Sequence, residues 1–170
     1  MKKEHVIIGA LVGVGIFLTY LIMRKPANKK PAANGSDISS WIKPVVGKLT
    51  SGFGLRKDPL NPSKSEGHNG QDIAVPIGTA VKAPASGNIK STSPTLEGGN
   101  QVVMVHDNGW FTGYAHLSQV LVKPGQKVKQ GDVIAKSGNS GAHTTGAHLH
   151  FTMTDPKGVK VDPKKYVYAS

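Results

Sequence analysis

The sequence predicts a mainly β chain: one compact antiparallel domain preceded by a single N-terminal transmembrane helix. Three observations carry this. An 18-residue run without a charge, Val6 to Met23, stands near the start. A stretch rich in Lys, Pro, Ala, Asn, Gly and Ser follows it. From Trp41 onward, short β-prone runs are broken by Gly, Pro, Asn and Asp, and no 3.6-residue amphipathic pattern lasts long enough for a substantial helix.

Residues 1–5 form a short tail. Residues 6–23, "VIIGALVGVGIFLTYLIM", would rise about 27 Å as a helix, close to the hydrocarbon thickness of a bilayer. A buried core helix would show a polar stripe, and none is present. A cleaved signal peptide would have a shorter apolar region and a small-residue cleavage site, where Arg24 and Lys25 stand instead. The absence of cysteine excludes a lipid-modified cysteine anchor, so an uncleaved membrane anchor is expected. Gly9 and Gly13 make a small-xxx-small pair, a weak signal for helix dimerisation. Lys2 and Lys3 precede the span, offset by Glu4, whereas Arg24, Lys25, Lys29 and Lys30 follow it. A positive-inside count therefore leans towards a cytoplasmic C-terminal domain. Residues 24–40 read as a mobile linker, able to span about 56 Å when extended.

The remaining residues, 41–170, form the domain. "QVVMVHDNGWFTGYAHL" is its clearest segment, with two strand-like runs around the turn residues Asp107-Asn108-Gly109. "DIAV", "TAVKA", "GNIKST", "DVIAKSG" and "AHLHFTMT" share the habit, which indicates an antiparallel all-β domain. The 21 Lys and Arg against 10 Asp and Glu give a net charge of +11, which favours an anionic partner. The lysines are scattered through turns such as "KPGQKVKQG" and no nucleic-acid-binding motif is present, so no nucleic-acid partner is expected.

Three clusters among the seven histidines point to chemistry. In "AHLHF", His148 and His150 lie two residues apart and so share one face of a strand, with Leu149 and Phe151 on the other. In "GYAHL", Tyr114 and His116 are expected on one face. In "SEGHNGQDIAV", His68 and Asp72 are four residues apart, and Gly67 and Gly70 argue against a helix, so a loop entering a strand at Asp72 is expected. A catalytic zinc site needs three protein ligands and an open position. His68, Asp72 and one histidine of the HLH strand supply such a set, leaving His116 and the other strand histidine for proton transfer. HxH or HxxxD alone is weak evidence; their combination among glycine-rich turns is far more specific.

With "SGFGLR", "HNGQDIAV", "GTAVKAPASGNI", "YAHL", "VKQGDVIAKSGNSG" and "TGAHLHF" in this order, the chain from about Val46 to Pro163 closely resembles the lysostaphin/LytM-type zinc endopeptidases of bacterial cell walls. The resemblance implies the LytM/lysostaphin type of β domain, with His68, Asp72 and His150 as zinc ligands and His116 and His148 as the catalytic pair. It implies Zn2+ as cofactor, peptidoglycan peptides as substrate, and hydrolysis of cross-links or stem peptides. That activity requires the cell-wall side, opposite to the charge count, and a compact chain of one catalytic domain, a short linker and an N-terminal span fits a bacterial envelope or a phage virion membrane equally. Gln71 stands where the family usually has an aliphatic residue and Ala147 where proline is common, and the loop carrying His143 is about a residue longer. His106 and His5 read as structural or solvated. The main rival is a non-catalytic peptidoglycan-binding or hydrolase-activating module of the same fold. A biotin- or lipoyl-carrying barrel, suggested by "VKPGQKVKQGDVIAKSG", lacks a convincing modified lysine, and a structural zinc site would want a fourth protein ligand.

Overall fold

The computed structural model describes residues 38–168. The predicted tail, membrane helix and most of the predicted linker lie outside the described residues. Among the described residues, no helix is long and apolar enough to cross a membrane. The strands in chain order are β1 (Lys48–Ser51), β2 (Gly54–Lys57), β3 (Ser65–His68), β4 (Gln71–Ala74), β5 (Ala80–Lys82), β6 (Gly87–Ser91) and β7 (Asn100–His106). They continue with β8 (Phe111–Leu117), β9 (Gln119–Val120), β10 (Lys127–Val128), β11 (Val133–Lys136), β12 (His148–Thr154) and β13 (Lys160–Val161), before a 3-10 turn at Pro163–Lys165.

The main sheet runs β1-β4-β12-β8-β7-β6-β10, with β13 beside β12. A three-stranded sheet, β5-β11-β9, and the hairpin β2-β3 complete the architecture. All these pairings are antiparallel. The predicted turn joins β7 to β8: Gly109 N–H donates to His106 O at 2.9 Å with Gly109 at φ 84°, a left-handed setting that suits glycine.

Strand alternation separates core from groove. On β12, Leu149, Phe151 and Met153 are buried, while His148, His150 and Thr152 face the other way. The register continues the division into β4, where Ile73 pairs with Leu149 and Asp72 with His150. Ile73, Leu149 and Phe151 join Val81 and Ile134 of the smaller sheet in one hydrophobic cluster. Each such side chain contributes about 1.5–3 kcal/mol on full burial. Ile38 is already part of this cluster, so core packing begins within the predicted linker. Gln71 sits on the core face and is buried; its Nε2 donates to Ser51 O at 2.6 Å, and its Oε1 has no partner.

Candidate metal centre

His68, Asp72 and His150 come from three different strands. β3 ends at His68, and a two-residue turn, Asn69-Gly70, leads into β4, so His68 lies on a strand and not in the expected loop. The local sequence hides this because β3 is short and charged, with no apolar alternation. It holds its place by pairing with β2, where Gly54 faces His68. Asp72 and His150 are direct cross-strand partners.

The three side chains converge. His150 Nδ1 lies 2.7 Å from Asp72 Oδ1, His68 Nε2 lies 3.2 Å from the same oxygen, and the two nitrogens are 3.0 Å apart. The far side of each ring is committed: His68 Nδ1 donates to Gly52 O at 2.6 Å, and His150 Nε2 to Asn69 Oδ1 at 3.2 Å. Such bonds set the tautomer and aim the other nitrogen's lone pair inward. Burial opposes ionisation of Asp72, but hydrogen bonds and charge from His150 and His68 outweigh it and hold the carboxyl well below the usual range. Burial lowers His150, against the pull of Asp72, which favours its neutral, ligating form.

Three lone-pair donors this close need a proton or a cation among them. Ligand atoms about 2.0 Å from a tetrahedral zinc would be roughly 3.3 Å apart, near the observed edges, so the residues fit that metal. Gly70 supplies the room: a Cβ there would come 2.8 Å from His150 Cε1 and 2.6 Å from Phe151 O.

His116 and His148 lie beside this triangle, with ring centroids 4.7 Å apart, and His116 is 6.0 Å from the His150 ring. His148 Nδ1 donates to Gly146 O at 2.8 Å, and its Nε2 is 3.7 Å from Asp72 Oδ1. His116 Nδ1 donates to Ser140 O at 2.9 Å. A carbonyl only accepts, so both rings keep the proton on Nδ1 and present Nε2 as a base. Burial is the main force lowering His116, which keeps it neutral.

The expectation that Tyr114 and His116 share a strand face is corrected. Tyr114 is 1% exposed and packs in the core against Phe151. Plain alternation would send His116 there too. Instead Val102 pairs with Tyr114 and Asn100 with Leu117, so Ala115 and His116 together stand against Gln101. This β-bulge, with His116 at φ 60°, turns the imidazole into the groove. A left-handed non-glycine residue is strained, and the neighbouring loop holds it there. Ser140 Oγ donates to Leu117 O at 2.8 Å, and Gly138 packs so closely that a Cβ would meet His116 O at 2.7 Å.

The five residues line an open groove of about 910 Å³. His143 lies on its rim, 3.2 Å from Glu66 Oε2. His106 is elsewhere, buried under Trp41 and bonded to Thr112 Oγ1 and Ser86 O. Sequence patterns give no role to Arg56, which reaches the groove and contacts Asp72; its only signal is its place in the "SGFGLR" run.

Residues 66–163 match peptidase family M23. The peptidoglycan DD-endopeptidase ShyA of Vibrio cholerae is 42% identical over 106 residues, 62% of this chain and 24% of ShyA. The murein hydrolase activator NlpD of Salmonella typhimurium is 34% identical over 142 residues, 82% of this chain and 34% of NlpD. The chain thus spans about a quarter to a third of the length of these curated relatives. Among solved structures, a zinc-containing peptidase from Vibrio cholerae aligns with TM-score 0.66 and 37% identity, covering 72% of this chain and 39% of that one. The catalytic domain of lysostaphin from Staphylococcus simulans aligns with TM-score 0.64 and 32% identity, covering 72% and 93%. From the strand that carries His68 to the residues beyond the HLH strand, the match is continuous: this chain belongs to peptidase family M23.

Proposed function

We propose that the chain is a zinc-dependent endopeptidase that hydrolyses cross-links or stem peptides of peptidoglycan, with His68, Asp72 and His150 holding the metal. The observation that carries this reading is the inward-facing ligand triangle beside two imidazoles whose Nδ1 atoms are bonded to carbonyls and whose Nε2 atoms remain available as bases. Zinc in such a setting polarises a peptide carbonyl and acidifies water. His116 or His148 takes a proton through Nε2 as water attacks the carbonyl carbon, and a protonated imidazole of the pair returns one to the leaving amine. Such assistance contributes roughly 10²–10⁴ in rate. The span at 6–23 tethers the domain to a membrane with the groove on the wall side, in a bacterial envelope or a phage virion membrane.

Incubation of the protein with purified peptidoglycan tests the reading by the appearance of new amino groups. Release that stops with a chelator and returns with zinc is the expected result. The similarity to NlpD favours a second reading, a hydrolase activator of the same fold. Bound zinc with no release from any wall type, combined with faster release by an added wall hydrolase, would select it.

A further inference from the structure

One charged group of the groove has no part in the chemistry above. Arg56 lies on β2 with its side chain 19% exposed. Its guanidinium grips two carboxylates at once. Nη1 donates to Asp72 Oδ2 at 2.8 Å and to Ser51 Oγ at 2.7 Å. Nε and Nη2 each lie 2.8 Å from Glu66 Oε1, and the other Glu66 oxygen faces His143 Nε2.

The backbone arranges these contacts. Arg56 and Glu66 are direct partners in the β2-β3 hairpin, the same hairpin that ends in His68. On β1 the register slips, with Leu49 opposite Ile73 but Ser51 opposite Asp72, so a bulge sets Ser51 beside Asp72, where its hydroxyl accepts from the Arg56 guanidinium. A carboxylate left to itself turns about its Cβ–Cγ bond and can offer a metal one oxygen or both. Asp72 has Oδ1 against the two ligand imidazoles and Oδ2 on the guanidinium.

We propose that Arg56 is a positioning residue of the metal centre: it occupies Asp72 Oδ2, anchored from behind by Glu66, and so limits the carboxylate to one ligating oxygen. The proposal rests on the reading of His68, Asp72 and His150 as ligands. A planar fork is needed, because a lysine ammonium is a compact point charge that cannot hold this bidentate arrangement. Partners of this kind influence metal affinity about 10–100-fold.

The test compares the full chain with its Arg56→Met, Arg56→Lys and Asp72→Ala variants. Each is stripped of metal and titrated with zinc against a chromogenic chelator, then loaded with Co2+ for its visible spectrum. Arg56→Met is expected to weaken zinc binding about 10–100-fold, with only partial recovery in Arg56→Lys. The Co2+ absorption of both should lose intensity as Asp72 turns its second oxygen to the metal and the coordination number rises. A merely structural arginine would leave that spectrum unchanged. If Arg56→Met does not fold, Arg56→Lys carries the same two predictions. Wild-type affinity and spectrum in Arg56→Lys, with metal lost from Asp72→Ala, would remove Arg56 and leave the ligand set standing. Tight binding by Asp72→Ala would overturn the ligand set and the proposal together.

Discussion

His106 and His116 lie on adjacent strands of one sheet, both are buried, and burial lowers the proton affinity of both. They do opposite things. His106 spends both ring nitrogens, on Ser86 O and Thr112 Oγ1, and packs at a tilt against Trp41. His116 spends only Nδ1 and turns the other nitrogen to the groove. Burial and a lowered pKa therefore do not tell the two histidines apart; an uncommitted nitrogen facing a cavity does.

The contrast can be broken most severely at the proposed ligands. His150→Ala should abolish zinc retention and amine release, whereas His148→Ala should keep zinc and lose turnover. Metal analysis beside the peptidoglycan assay separates them, and equal zinc loss would end this division of labour. Next, His116→Ala should lower turnover by roughly 10²–10⁴ with zinc content unchanged. His106→Asn should leave the rate per folded molecule nearly as it was.

The third measurement uses acid. His106 is pushed down to about 4 from 6.5, so below pH 6.5 the unfolded chain takes up a proton that the folded one refuses. The stability this neutral ring contributes is complete above pH 6.5 and lost as pH falls towards 4, about 3 kcal/mol in all. Denaturant unfolding of metal-free protein at pH 7 and pH 4 should show a smaller difference in His106→Asn than in wild type. An identical difference would mean that His106 protonates freely when folded.

Two smaller effects sharpen the picture. Gly70→Ala should weaken zinc binding about 10–100-fold, since the new Cβ crowds the His150 ring; chelator competition reads this directly. At the bulge, His116→Gly should be more stable than His116→Ala by about 1–2 kcal/mol, because alanine is strained at φ 60°. Equal denaturation midpoints would mean that the bulge relaxes when the imidazole is gone.

Alternation made β7, β8 and β12 legible in the sequence, with Leu149, Phe151 and His150 on the expected sides. The same reasoning put Tyr114 and His116 on one face and failed, because nothing local in "GYAHL" announces an extra residue; the bulge depends on Ser140 and Gly138, more than 20 positions away. The β2-β3 hairpin was equally hidden. Its glycines and charges read as a loop, whereas β2 and β3 pair along their length and Arg56 bridges Glu66 and Asp72.

The bulge bears on how such a groove is inherited. Without His116, the run Tyr114, Ala115, Leu117 would be an ordinary alternating strand, with core, groove and core positions in turn. The imidazole behaves as a one-residue insertion into an intact frame. A change of chain length by one residue at this point would therefore add or remove the imidazole while keeping the interior and the His68, Asp72 and His150 cluster.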